Sequence, residues 1–373
     1  MIELNDLLVT LLSTVEMSLA LSVGMFLLFL NKKKKNALLF LSFFLIVSGL
    51  SSLSDICETV NEYIHSPYME LLPFSFFSLL PSLLYVYLGE ISIIKNNKAN
   101  YYVLIPGLVE FVVNVFIYFS SLELRQTLDD SVLYILFELL GILYGFVIII
   151  LTFKKVRKHS KLLKNQYSSL ERRELNWVLV AITSVIIYLI LSIITAIFFT
   201  DFINDIIGSV FGISLVYWTS YHGLLQQSSK NLIIEKDPSL KSTNKVDIDC
   251  AQSEKEQEKY KQVLEKVDTL LQTEELYLNP ELTIVQISEK IEEHPRLVST
   301  VINKLSQQNF NSYINKFRVE KAKSMLLAGK TSQLNIEGVG LEAGFKSNSA
   351  FYTAFKKFQK ITPLQFLQHS GRH

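Results

Sequence analysis

Residues 206–225 read IIGSVFGISLVYWTSYHGLL, and residues 226–245 read QQSSKNLIIEKDPSLKSTNK. The first stretch is apolar over the length of a membrane-spanning helix, whereas the second is mostly polar and contains a proline. This change from an apolar stretch suited to lipid to a polar stretch suited to water predicts three parts of the chain. They are a membrane domain over 1–225, a flexible cytoplasmic linker over 226–254 and a soluble domain over 255–373. Because helical patterns occupy both domains, we expect an all-α chain.

The apolar residues make up 49% of the chain and are bunched into blocks, which is unusual for a soluble domain. Each block is near the ~20 residues that a helix needs to cross about 30 Å of hydrocarbon. Because Met1–Asp6 is acidic and has no basic residue, we expect a retained first helix rather than a cleaved signal peptide. The seven predicted spans are Leu7–Leu30, Ala37–Leu53, Leu71–Leu88, Tyr101–Ser120, Val132–Phe153, Trp177–Phe199 and Ile206–Leu224.

The charges of the loops between these spans predict the orientation of the chain. Basic residues concentrate in the first, third and fifth loops, whereas the alternate loops are mainly acidic. Because basic loops stay in the cytoplasm, the N-terminus is expected outside and everything after Leu225 inside. The odd number of spans leads to the same arrangement.

Three carboxylates, Glu16, Glu110 and Glu138, lie within the apolar blocks. An ionised carboxylate in hydrocarbon is costly unless it faces a cavity, a partner or water. Glu110 and Glu138 are therefore candidates for membrane sensing, either in a ligand pocket or at a proton-sensitive site. The alternative is that both are protonated or hydrogen-bonded structural groups and that Glu16 reaches the membrane interface.

Two Gly-x-x-x-Gly pairs occur in the spans, Gly141 with Gly145 and Gly208 with Gly212. This spacing puts both small residues on one helix face and allows close backbone approach. The motif is common by chance in membrane helices, so close packing is favoured over a specific dimer contact.

No catalytic or metal-binding pattern is present in the sequence. The six histidines lack ligand spacing, and there is no phosphate-binding loop or nucleophile elbow. Cys57 and Cys250 are expected on opposite sides of the bilayer, so no internal disulfide is predicted. We therefore expect neither an enzyme nor a cofactor or metal site.

An amphipathic helix is predicted to begin near Glu254. Its apolar stripe recurs at three- and four-residue spacing and consists of Tyr260, Val263, Leu264, Val267, Leu270 and Leu271. Such a stripe could form a short dimeric coiled coil or the first helix of the following domain. The second interpretation is simpler, because two to three heptads make a weak zipper.

The last hundred residues predict two helix pairs, each with an apolar inner face and a polar outer face. The first pair comprises a helix over Leu282–Ile291, a turn at Glu292–Pro295 and a second helix. The second pair comprises a helix over Asn335–Ala343, a turn at Gly344 and Phe345, and a helix from Asn348 that Ser347 can cap. Short polar side chains and cations on the outer faces suit base edges and phosphates in a major groove.

The spacing and the charge of these helix pairs favour a nucleic-acid partner. The helix predicted between them, Asn309–Leu327, spans ~28 Å, near the ~34 Å that separates successive major-groove faces of a duplex. From Leu276 to the end, basic residues outnumber acidic ones by about six. We therefore expect this basic segment to bind a polyanion such as DNA.

Two segments carry a resemblance to a known family. Gly344-Phe345-Lys346-Ser347-Asn348-Ser349-Ala350-Phe351, continuing to Thr362-Pro363, resembles the signature of the AraC/XylS family of bacterial transcription regulators. Phe310–Asn315 with Arg318–Ala322 resembles the connecting helix of that family. The resemblance covers about a hundred residues and implies sequence-specific binding of double-stranded promoter DNA.

The resemblance also implies roles for outer-face residues of both helix pairs. The residues expected to contact bases are Arg296, Ser299, Thr300, Asn348, Ser349 and Tyr352. The residues expected to contact phosphate, which positions the protein without reading sequence, are Asn303, Lys304, Ser347, Thr353 and Lys356.

The chain departs from the family pattern in several places. Glu292 and Glu293 stand where the first turn usually has a glycine and an apolar residue, and His294 replaces a small capping residue. A usual glycine near Lys360 is also missing. Two carboxylates near phosphate weaken attraction, so the first pair is expected to bind DNA less tightly than the second.

These observations together predict a membrane-tethered, one-component transcription regulator. The chain resembles a membrane-bound subset of the family, which implies a bacterial cytoplasmic membrane. A cue sensed by the membrane bundle would control promoter binding, and a homodimer and RNA polymerase are further candidate partners besides DNA and the lipid bilayer. The alternative is a seven-span receptor or transporter whose cytoplasmic tail docks a partner protein.

Overall fold

The computed structural model describes residues 4–32, 35–66, 69, 72–94, 97–129, 131–199, 201–226, 228–229, 254–328 and 335–370. These residues contain fifteen α-helices and no strand, so the all-α prediction is confirmed. An isolated antiparallel bridge joins Tyr167 to Thr283. The chain divides into two compact units. After the functions that the sequence predicts for them, we call these the membrane unit (1–158 with 175–228) and the DNA-binding unit (159–174 with 229–373).

The helices of the membrane unit carry apolar residues on their exposed surfaces as well as in the core. Its core includes Leu27, Leu45, Tyr87 and Trp177, while Leu133 remains 78% exposed. Large exposed apolar side chains are what helices present to hydrocarbon. The helices are α1 (Leu4–Leu30), α2 (Asn36–Ile64), α3 (Leu79–Ile91), α4 (Ile105–Tyr118), α5 (Leu122–Asp129), α6 (Val132–Lys164), α7 (Asn176–Phe198) and α8 (Asp201–Leu225).

Six helices among the described residues are long and apolar enough to cross a membrane. They are Leu4–Leu30, Asn36–Asn61, Ala99–Tyr118, Val132–Lys164, Asn176–Phe198 and Phe202–Leu225. In the described part of the predicted third span, Leu71–Leu88, helix begins only with α3 at Leu79, and the 13 residues of α3 rise about 20 Å, less than the ~30 Å of hydrocarbon. Seven spans therefore stay a prediction. The orientation with the N-terminus outside and the residues after Leu225 inside, which an odd number of spans supported, also stays a prediction.

The DNA-binding unit has short helices with side-chain caps at their starts. Thr283, Asn309, Asn335 and Ser347 each accept a hydrogen bond from the backbone N–H three residues further on, so the predicted cap at Ser347 is confirmed. The helices are α9 (Glu254–Glu274), α10 (Ile284–Lys290), α11 (Pro295–Leu305), α12 (Phe310–Leu327), α13 (Ile336–Glu342), α14 (Asn348–Gln359) and α15 (Pro363–Ser370). Most of the predicted linker lies outside the described residues.

The DNA-binding unit has two apolar cores, one at each end of α12. The first joins α9, α10 and α11 to Phe310 and Ile314, and the second joins α13 and α14 to Val319 and Met325. Val263, Val267 and Leu271 of the amphipathic stripe are buried in the first core. Helix α9 is therefore the first helix of the domain that carries the helix pairs. Because the apolar side chains of its stripe pack inside the chain, they do not form the exposed apolar surface that a coiled coil needs.

Candidate nucleic-acid interface

The first helix pair consists of α10, a tight turn and α11. Thr283 and Gln286 form a reciprocal capping box at the start of α10. Glu292 begins the turn with φ 59°, a left-handed conformation that a glycine adopts without strain. His294 caps α11, because its Nδ1 accepts a hydrogen bond from the backbone N–H of Arg296 at 3.2 Å.

Four of the five predicted contact residues on α11 are at least partly accessible. Arg296 and Lys304 are exposed, while Thr300 and Asn303 are half-buried and hydrogen-bond to carbonyls of the preceding turn at 2.8 and 2.7 Å. Ser299 does not have the expected outward orientation, since it is only 8% exposed. The backbone carbonyl of Ser299 accepts the hydrogen bond from Asn303. Contact of the Ser299 side chain with a base stays a prediction, and the burial of this side chain weakens it.

The second helix pair consists of α13, a turn at Gly344 and α14. Gly344 has φ 93°, and a Cβ there would lie 2.5 Å from the carbonyl oxygen of Tyr277. Gly340 lies directly against Phe351, where a Cβ would approach the ring to 2.5 Å. Gly340 therefore permits the close approach of α13 and α14, and Gly344 permits the turn between them to pack against Tyr277 and Leu278.

The outer face of α14 presents most of the predicted contact residues. Ser349, Thr353 and Lys356 are exposed, and Ser347, Asn348 and Tyr352 are half-buried. The Oδ1 atom of Asn348 is buried and has no hydrogen-bond partner among the described residues, so the amide is not fully satisfied within the chain. Which of these side chains contact bases or phosphates stays a prediction.

The departures from the family pattern have visible consequences. Lys360, near the missing glycine, has φ 66° and ends α14 in the left-handed region, as Glu292 does in the first pair. Glu293 forms an ion pair with Lys266 of α9 at 3.6 Å. Its carboxylate is therefore partly compensated within the protein, whereas Glu292 is exposed.

The basic residues of this unit are not all free of acidic partners, as a simple charge count assumes. Lys290 pairs with Glu274 at 2.6 Å and Lys321 with Glu275 at 2.6 Å. These two acidic residues precede the segment in which the basic excess was counted. Because Lys321 donates a hydrogen bond to it, the pKa of Glu275 lies below its usual range.

Arg318, which the sequence places among the basic residues that attract DNA, is instead 1% exposed. Its Nε donates to the carbonyl of Tyr277 at 2.7 Å, and Nη2 donates to the carbonyl of Asn279 at 2.8 Å. Burial lowers the pKa of Arg318 to about 10, so it stays protonated at neutral pH. Helical periodicity alone could not identify this structural role.

Glu110 of the membrane unit is buried against the start of α3. Its two carboxylate oxygens accept hydrogen bonds from the backbone N–H groups of Phe77 and Ser78 at 3.2 and 3.0 Å. Non-helical backbone in hydrocarbon needs such acceptors within the protein. This geometry supports the structural alternative for Glu110, while Glu138 is half-buried, and sensing by either residue stays a prediction.

Both glycine pairs pack against the membrane unit itself. A Cβ at Gly145 would lie 2.8 Å from the carbonyl of Phe77, and one at Gly208 would lie 3.2 Å from the Tyr188 hydroxyl. Gly212 is covered by the carboxylate of Glu16. The close-packing interpretation of these motifs therefore describes the structure, and the glycines are not left for a dimer contact.

Comparison with known families identifies the segment that carries the helix pairs. Residues 287–369 match a family described as a helix-turn-helix domain. This is an AraC-type helix-turn-helix domain, so the resemblance is confirmed for this part of a chain that also has membrane-like helices. No curated protein and no solved structure matches the chain. The match supports a DNA-binding transcription regulator.

Proposed function

We propose that the chain is a membrane-tethered, one-component regulator in which a cue received by the membrane unit controls promoter binding by two helix-turn-helix units. The observation that carries this proposal is the helix-turn-helix match over 287–369 in a chain with six apolar helices of bilayer length. Regulators of the AraC type are generally not enzymes. Among the described residues, no group of three His, Cys, Asp or Glu side chains could hold a metal.

The two helix pairs support reading of two successive major grooves. Their cores lie at opposite ends of α12, whose 18 residues rise about 27 Å. Recognition helices in adjacent grooves lie ~34 Å apart. We assign base reading to Arg296, Thr300 and the outer face of α14, with Lys304 and Lys356 on phosphates.

The membrane unit supplies the place where a cue acts. The loop charges support insertion in the cytoplasmic membrane with the N-terminus outside. This orientation requires either seven spans or another way for the short helix α3 to fit in the membrane. Glu110 and Glu138 remain the two candidates for sensing, and the Glu110 carboxylate also accepts hydrogen bonds from the backbone at the start of α3.

A homodimer and RNA polymerase remain proposed partners on weaker grounds. The α9 stripe and both glycine pairs, which motivated the dimer, are used inside the chain. Two helix pairs in one chain can already occupy two grooves, so a monomer is sufficient for the proposed binding.

The second candidate function is a tail that docks a protein, and salt dependence separates the two. We expect the full chain in lipid nanodiscs to retain a promoter duplex and to lose it steeply with salt, because cations released from the duplex drive binding. R296A and N348A should reduce discrimination between specific and random DNA by about 1–3 kcal/mol each. K259A and Q272A, on exposed positions of α9, are the matched controls. Equal, salt-insensitive binding of all variants would favour the docking tail.

A further inference from the structure

The loop between α6 and α7 belongs to the DNA-binding unit. Its backbone pairs with the segment that begins the first helix pair: the Ser168 N–H donates to the Leu282 carbonyl at 3.0 Å, and the Ile284 N–H donates to the Gln166 carbonyl at 3.1 Å. Tyr167 and Thr283 form the bridge between these two bonds. The loop therefore adds a short strand-like edge at the start of α10.

Ser168 completes the environment of the buried Arg318. A guanidinium has five N–H donors, and Ser168 accepts two of the hydrogen bonds of Arg318: its carbonyl from Nη1 at 3.3 Å and its hydroxyl from Nη2 at 3.0 Å. Asn311 of α12 also donates to the Ser168 carbonyl, at 2.6 Å. Both Ser168 and Arg318 are 1% exposed, so removal of the loop would leave a buried cation with unsatisfied donors.

Arg173 extends the loop's contacts to the second helix pair. Its Nη2 lies 3.3 Å from Glu281 Oε2, while the other oxygen of Glu281 accepts a hydrogen bond from Lys346. Lys346 immediately precedes Ser347, the cap of α14. Through Glu281, the loop thus contacts the beginning of one helix pair and the turn of the other.

The loop is covalently continuous with two candidate spans, since α6 ends at Lys164 and α7 begins at Asn176. We infer that residues 165–174 form a docking loop that fixes the relative orientation of the two helix pairs and so gives the membrane helices direct control over DNA binding. This inference rests on the proposed function. Its mechanism is preorganisation: a fixed orientation favours simultaneous contact with two half-sites but does not alter contact with one.

The docked state can be trapped in the full chain by a disulfide. Tyr167 and Thr283 face each other as a non-hydrogen-bonded antiparallel pair, for which Cα atoms lie about 4.5 Å apart, within disulfide range. Y167C/T283C, in a C57S/C250S background in membrane vesicles, should crosslink on mild oxidation, whereas Y167C/T300C should not. Failure of the first pair to crosslink, with the amides of Ser168 and Ile284 unprotected from hydrogen exchange in the wild type, would overturn docking.

The effect on DNA binding is tested with R173A, which removes the loop's ion pair with Glu281. The probes are a duplex selected by the wild-type chain from a random pool and each half of that duplex alone. R173A in nanodiscs should bind the full duplex about tenfold more weakly, with half-site affinity unchanged and R173K restoring most of the loss. K161A, which removes an exposed cation at the end of α6, is the control.

The outcomes separate the inference from the function on which it rests. If R173A changes neither affinity, or weakens full and half duplexes equally, the loop does not orient the helix pairs. If the wild-type chain selects no duplex from the pool, it is the proposed function that fails.

Discussion

At the residue scale, two non-glycine residues of the DNA-binding unit have a backbone conformation that favours glycine. Glu292 and Lys360 have φ 59° and 66°, at the turn of the first pair and the end of α14. A Cβ in the left-handed region costs about 1–2 kcal/mol. The family resemblance indicated a missing glycine at Glu292 and another near Lys360, but it did not show that the backbones of these two residues keep the glycine geometry.

Replacement of these residues by glycine should therefore stabilise the DNA-binding unit. We expect E292G and K360G each to gain about 1 kcal/mol, after the larger chain entropy of glycine is subtracted. The measurement is hydrogen exchange of the core amides of α12 in the full chain. K356G, inside helical α14, is the control and should lose about 1 kcal/mol; a loss in all three variants would contradict the strain argument.

Glu281 makes the stability of the same unit sensitive to acid. Its hydrogen bond from Lys346, followed by the charges of Lys346 and Arg173, lowers its pKa from the ordinary 4.5. A lowered folded-state pKa means that the stabilisation is complete above pH 4.5 and is lost as pH falls through the folded value. We expect E281Q to reduce the thermal midpoint of the unit at pH 7 and to match the wild type at low pH. A difference that persists unchanged in acid would show that charge is not the cause.

At the scale of helices, periodicity predicted the DNA-binding unit well, because apolar residues at three- and four-residue spacing must share a face. The helices α10, α12 and α13 begin and end within two residues of the predicted bounds, and α11 and α14 begin within two residues of the predicted starts. Periodicity could not show that Ser299 is buried, that Arg318 lies inside, or that loop 165–174 joins this unit, because those facts depend on contacts between distant residues. In the membrane unit, hydropathy could not predict that helix in the described part of the third span begins only at Leu79, so that span stays a prediction.

The start of α3 depends on the Glu110 carboxylate, and this gives a test of structure against sensing. E110L should destabilise the membrane unit by about 1–3 kcal/mol for each N–H left unsatisfied, while E110Q should cost less because one acceptor oxygen remains. Thermal unfolding of the full chain in nanodiscs measures both, with E123Q, an exposed position of α5, as control. Unchanged stability in E110L would leave the carboxylate available for sensing.

At the scale of the whole molecule, one polypeptide combines helices of bilayer length with a helix-turn-helix domain. Under the proposed function such a chain would need no separate messenger, because the part that receives the cue and the part that binds DNA are covalently joined. Membrane insertion would also limit the regulator to promoters that can approach the membrane. Composition could predict this division, since the two parts prefer different solvents, whereas the cue leaves no pattern in the sequence.

The central claim is that the chain occupies promoters while it remains in the membrane. Genome-wide DNA occupancy of the full chain, measured together with its fractionation between membrane and cytoplasm, tests it most directly. We predict discrete promoter peaks from membrane-fraction protein, retained by K259A and lost by R296A/N348A. Absence of peaks above background, or identical peaks in R296A/N348A, would contradict the account.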